Sequence, residues 1–72
     1  MNLKQAMKAL GSNSRKFRLA KGLSQERMRD FGFNYRYYQK LEAGEVNATL
    51  DLLVRLAKTF AVDIEELLKI EK

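Results

Sequence analysis

The sequence predicts an all-α fold of five short helices joined by short loops. Three observations carry this reading. The chain has no proline and is rich in Leu, Ala, Lys, Glu and Arg, which favour helix almost everywhere. Its apolar residues recur at three- and four-residue intervals and show no strand-like alternation. Glycines and short polar residues stand where helix caps are needed.

Leu3, Ala6, Met7 and Leu10 fall at i, i+3, i+4 and i+7, one helical stripe. Gly11-Ser12-Asn13-Ser14 weakens that run. Either the helix continues through it, or residues 1–9 form a helical extension and a new helix restarts with Ser12 as its N-cap. A segment from about residue 12 to 21 then ends at Gly22, a left-handed C-cap. Ser24 caps a short helix over residues 25–31, Gly32-Phe33-Asn34 forms a turn, and Asn34 is the N-cap of a helix over residues 35–43, closed by Gly44. After a loop at 45–48, Thr49 caps the most strongly patterned helix, with Leu50, Leu53, Val54, Ala57 and Phe60 as its apolar face and Asp51 suiting the helix dipole. Asp63 and Glu66 make an Asp variant of the capping box, opening a last helix that carries Ile64, Leu67 and Leu68. There is no internal repeat and no low-complexity tract.

At 72 residues and 8.4 kDa the chain forms one domain, 1–72, able to bury roughly 60% of its unfolded surface. It has no Cys and no His, which excludes a disulfide framework and a Cys/His zinc cluster and leaves a hydrophobic core to carry stability. Without an imidazole, catalysis falls to Asp, Glu, Lys, Ser or Tyr, in a chain with little room to enclose a pocket. No catalytic residue, metal or cofactor is therefore expected, and the chain does not read as an enzyme. The net charge of +5 is unevenly placed. Residues 1–40 hold ten basic and two acidic residues, whereas residues 41–72 hold four basic and seven acidic ones. Such a gradient fits a polyanion, either nucleic acid or anionic lipid, or else a plain solvated surface. No apolar run approaches the ~20 residues of a membrane span, and Met1-Asn2-Leu3-Lys4 lacks a signal-peptide apolar region, so a cytoplasmic location is expected. Binding to a membrane surface through Lys4 and Lys8 is disfavoured, because that helix lacks Trp and Phe anchors.

The pair of short helices at 25–31 and 35–43, around a glycine-containing turn, is a candidate helix-turn-helix spanning residues 24–44, followed by C-terminal helices over 49–70. Spacing alone is weak evidence for this. The surrounding landmarks are Gly22-Leu23-Ser24-Gln25-Glu26, Phe31-Gly32, Leu41-Glu42-Ala43-Gly44, Thr49-Leu50 through Leu56-Ala57-Lys58, and Val62-Asp63 through Leu67-Leu68. With them, residues 10–68 resemble the Cro/phage-repressor-type (Xre-like, Cro/C1-type) helix-turn-helix family. The resemblance implies a compact, five-helix, lambda-repressor-like DNA-binding domain. It implies sequence-specific binding of double-stranded DNA and transcription regulation, with the helix at 35–43 in the major groove.

On that resemblance, Tyr35, Arg36, Gln39 and Lys40 are candidate base contacts; Arg36 can pair with guanine O6 and N7. Gln25, Asn34, Tyr37, Arg15, Lys16 and Asn47 are candidate phosphate contacts. Arg18 and Glu42 match a structural ion pair between the first helix and the end of the recognition helix. Among the aromatic residues, Phe31, Phe33 and Tyr38 read as core rather than as a stacking platform for single strands, leaving Tyr35 and Tyr37 for a ligand. A homodimer is implied, with Ile70 or the Leu3/Met7/Leu10 stripe as its contacts, since the chain offers no separate oligomerisation domain. The stripe can equally pack on its own core. The alternative function is a protein-interaction module on the same fold, such as the antitoxin of a toxin–antitoxin pair.

The sequence also departs from the family. Met28 and Phe31 stand three apart where relatives space two anchors four apart, as though one residue were missing; Gly32 must then absorb a rotation of about 100°. Arg29 takes a position usually held by a small alanine and would have to reach outward. Ser14 replaces an aliphatic residue, Glu45 stands where many relatives are basic, and Ala61 takes a C-cap position that commonly holds glycine.

Overall fold

The computed structural model describes residues 1–70; Glu71 and Lys72, the end of the expected 1–72 domain, lie outside the described residues. Five helices follow one another: α1 (Leu3–Ala20), a 3₁₀ helix (Glu26–Phe31), α2 (Tyr35–Glu42), α3 (Leu50–Phe60) and α4 (Ile64–Leu68). None of the described residues forms a strand.

α1 is not short, and it does not restart at Ser12. It runs 18 residues without interruption from a capping box, in which Asn2 Oδ1 accepts from the Gln5 N–H and Gln5 Oε1 accepts from the Asn2 N–H. Gly11, Asn13 and Ser14 interrupt the pattern because they face neighbouring elements, and all three are buried. A Cβ on Gly11 would lie 2.5 Å from the Leu41 carbonyl oxygen and 2.7 Å from that of Glu42, so only glycine lets the end of α2 approach this closely. Asn13 donates through Nδ2 to the carbonyls of Leu67 (2.9 Å) and Lys69 (2.8 Å), which ties the end of α4 onto α1. Ser14 is fully buried, and its hydroxyl finds no hydrogen-bond partner among the described residues.

The second helix is wound as a 3₁₀ helix over Glu26–Phe31, not as the α-helix expected over 25–31. At about 2.0 Å of rise per residue against about 1.5 Å, six 3₁₀ residues cover the length of about eight α-helical ones. Ser24 Oγ accepts from the Arg27 N–H at 3.2 Å. Gly32 then turns the chain with φ 88°, a left-handed conformation. That turn corrects the reading of Phe31: it is 44% exposed, and Phe33, past the turn, enters the core with its ring centroid 5.8 Å from that of Tyr38. Arg29 is exposed.

α2 is capped by Asn34 Oδ1, which accepts from the Tyr37 N–H at 3.0 Å; the helix ends at Glu42, one residue earlier than expected. α3 is capped by Thr49, whose Oγ1 accepts from the Leu52 N–H at 3.2 Å. Its buried face is Leu52, Leu53, Leu56 and Phe60, whereas Leu50 and Val54, assigned to the core from their spacing, are exposed. Seven of its eleven residues are apolar, so a helical period fits more than one face and tertiary packing makes the choice. α4 begins without the expected capping box: the Asp63 side chain makes no cap bond, and its backbone carbonyl accepts from the Glu66 N–H instead.

α1 is the hub. It packs against α2, α3 and α4, with Leu10, Met28, Tyr38, Leu41, Leu56 and Leu67 at the centre and the Phe17 and Phe60 rings 6.0 Å apart.

Two substitutions should act against simple helix propensity. Gly11→Ala, which would favour an isolated helix by up to about 1 kcal/mol, is expected to cost about 2–3 kcal/mol by overpacking. Ala61, held at φ 56°, should gain about 0.5–1 kcal/mol as glycine. Urea unfolding of both variants measures the two signs.

Candidate nucleic-acid interface

α2 divides its surface by function. Tyr38 and Leu41 are buried, and Glu42 turns towards α1. Arg36, Gln39, Lys40 and Ala43 fall at i, i+3, i+4 and i+7 and line one shallow outward surface, together with Glu45 from the following loop. Tyr35 sits half-buried beside this strip, and its hydroxyl accepts from Gln39 Nε2 at 3.0 Å. The four candidate base contacts thus share one side of one helix, with two of them already linked to each other.

The candidate phosphate contacts are more scattered. Asn34 holds the first turn of α2 through its side chain, and Tyr37 is exposed one turn on. Arg15 is exposed on α1, one turn beyond Gly11 and so on the side that meets α2. Lys16 lies on the side of α1 that forms a groove with Lys69 and Ile70, with its Nζ 5.8 Å from the Phe17 ring centroid. Asn47 is exposed at the edge of an apolar groove lined by Leu3, Met7, Leu10 and Leu53. Gln25 donates through Nε2 to Glu42 Oε1 at 3.0 Å, so one of its two amide N–H groups is engaged within the protein.

Arg18 and Glu42 form a bidentate ion pair: Arg18 Nε donates to Glu42 Oε2 at 2.7 Å and Nη2 to Oε1 at 3.0 Å. Both side chains are buried, and Arg18 Nη1 adds a 2.7 Å bond to the Leu23 carbonyl. One guanidinium therefore joins α1, the chain leading into the 3₁₀ helix, and the last residue of α2. Burial alone would raise the Glu42 carboxyl, but the Arg18 hydrogen bonds, with the nearby Tyr38 hydroxyl and the Gln25 bond adding to them, outweigh it and hold the group below its ordinary value of 4.5. Arg18 is shifted upward by the same bonds. The Tyr38 phenol is pushed up, first by burial and then by the adjacent carboxylate, although its hydroxyl falls short of a formed hydrogen bond.

One residue of the motif's support was missed in the sequence. Arg55 of α3 donates through Nη2 to the Gly32 carbonyl at 2.8 Å and lies over the Phe33 ring at 4.8 Å, holding the turn between the 3₁₀ helix and α2. An arginine 23 residues beyond a turn gives no local signal; only the packed fold joins them.

Among the described residues no helix is long and apolar enough to cross a membrane, and no cluster of potential metal ligands occurs. A helix-turn-helix family model matches residues 15–67, from within α1 to within α4. The crystal structure of a hypothetical transcription factor, NHTF, from Neisseria superposes with a TM-score of 0.82 at 28% sequence identity, covering 96% of this chain and 80% of that one. No curated protein matches the chain.

The ion pair sets an acid limit. Because the folded state holds Glu42 below its ordinary value, the pair's contribution is complete above about pH 4.5 and is lost as pH falls through the depressed folded value. Either Arg18→Met or Glu42→Leu alone should cost about 3–5 kcal/mol at pH 7 by stranding its partner, and the double variant should cost clearly less than the two together. Urea melts between pH 7 and pH 3 should show a flatter acid dependence for the double variant than for the parent chain.

Proposed function

Since the chain belongs to the helix-turn-helix family, we propose that it is a DNA-binding transcription regulator that reads double-stranded DNA by sequence, with α2 in the major groove. The observation that carries this reading is the outward strip of Arg36, Gln39 and Lys40, on a helix whose other faces are fixed by the core and by Arg18. A major groove about 12 Å wide admits such a helix, and its base edges offer acceptors to cations and amides. Arg36 takes guanine O6 and N7 in bidentate fashion, Lys40 reaches guanine or phosphate, and Gln39 pairs with adenine once its bond to Tyr35 opens. Tyr35 then contacts a thymine methyl.

Asn34, Tyr37 and Arg15 are assigned to the phosphates flanking α2, with Lys16 and Asn47 further out and Gln25 offering the amide N–H that Glu42 does not use. Glu45 beside the strip repels phosphate and limits how far the loop can join the contact. The domain acts as a two-fold dimer on half-sites about one helical turn apart.

Selection of bound duplexes from a random pool, followed by gel shifts, tests the reading. A palindromic consensus is expected. Arg36→Ala should lose about 1–3 kcal/mol of discrimination at one base pair per half-site, while Arg15→Ala should weaken all duplexes about equally and lower the salt slope. Equal affinity for every duplex, or no binding at low salt, would overturn the proposal.

A further inference from the structure

α3 carries two apolar faces, and only one is covered. Leu50 and Val54 fall at i and i+4 on the uncovered side, 77% and 39% exposed, and half-buried Ala57 at i+7 borders it. A furrow continues this stripe through Val62, before α4, and Ile64, at its start, with Lys58, Asp63 and Glu65 along its sides. A helix that is apolar around most of its circumference is normally enclosed, yet Leu50 and Val54 stay exposed, while Ala57, Val62 and Ile64 at the border of the stripe pack partly against the core.

The charges beside the stripe identify what fits it. Asp51 and Lys58 are seven residues apart, so they lie on one flank of the helix two turns from each other, with Val54 between them. Neither has an ion-pair partner among the described residues. Arg55, the other cation of α3, is directed to Gly32 and Phe33 and leaves this flank clear. A two-fold axis through Val54 and perpendicular to α3 sets a second α3 antiparallel to the first, with the same flank aligned. Each Asp51 then faces Lys58 of the partner subunit, giving two identical ion pairs around an apolar centre. A parallel arrangement puts the charged flanks on opposite sides and makes neither pair. A patch that holds its own complementary charges at symmetric distances is self-complementary, as an isologous interface requires.

We infer that the Leu50–Val54–Ala57 face of α3 is the homodimer surface, packing antiparallel against the same face of a second copy. This rests on the dimer proposed above but supplies a different surface from the Leu3/Met7/Leu10 stripe or Ile70.

Sedimentation of the full chain without DNA is the test, and its result stands apart from any DNA-binding result. The parent chain should show a concentration-dependent monomer–dimer equilibrium. Val54→Asp should be monomeric with an unchanged helical circular dichroism spectrum. Asp51→Lys should weaken dimerisation about tenfold, since two pairs are lost and two repulsions gained, and adding Lys58→Asp should restore it to within about threefold. If Val54→Asp fails to fold, the charge-exchange series decides alone. A parent chain that stays monomeric up to about 1 mM, a dimer indifferent to Val54→Asp, or a double exchange that does not rescue would each overturn the surface. A monomer that captures only a different protein on this face would overturn it as well.

Discussion

The structure depends on how α1 grips the C-terminal end of α2. Two contacts make that grip and they constrain each other. Gly11 brings the helices close enough that a single methyl group would collide with the carbonyls of Leu41 and Glu42. At that separation the Arg18 guanidinium reaches both oxygens of Glu42 while also holding the Leu23 carbonyl. A buried ion pair is a poor source of net stability, because desolvation consumes most of its attraction. Its value here is geometric. The pair is satisfied in one relative placement of α1, the segment before the 3₁₀ helix, and α2, so the direction in which Arg36 and Lys40 point is fixed from behind.

The positive half of the chain is therefore not one uniform field. Arg18 is consumed in the interior, although it lies in the basic half. Arg27 pairs loosely with Asp30 at 3.9 Å on an exposed turn. Arg55, from the acidic half, holds the turn before α2 by a carbonyl and a ring. Formal charge counted along the sequence thus overstates what is available to a polyanion in some places and hides a structural cation in another.

What was legible in the sequence was mostly local. Asn34 and Thr49 cap their helices because a short side-chain oxygen three residues before a free N–H is a sequence-local arrangement; Ser24 makes the same kind of bond to Arg27 one residue ahead of Gln25, the N-cap of the 3₁₀ helix. The same logic fails at Asp63, whose helix is five residues long and is held by packing and by Asn13. The face of α3 was misassigned because an apolar period is ambiguous on a helix that is mostly apolar, and the contacts that decide it come from other elements. Gly11 and Asn13 read as weak points in a helix, since their partners lie about 30 and more than 50 residues away. Of the candidate site, the outward strip on α2 follows from helical spacing once Tyr38 and Leu41 are placed inside. The engagement of Gln25 by Glu42 does not, because it requires three elements to have met.

The 3₁₀ winding of Glu26–Phe31 stretches six residues across a gap whose two sides are set by other contacts. Its ends are fixed, one by Ser24 and Gln25 beside the ion pair, the other by Gly32 under Arg55. Between fixed ends, a segment can trade rise per residue for residue number, tighter winding serving the shorter chain and α-helical winding the longer. A single-residue insertion or deletion here is then absorbed within the helix and not passed on to the turn. The orientation of α2 is then set by what holds its two ends and not by the number of residues that lead into it.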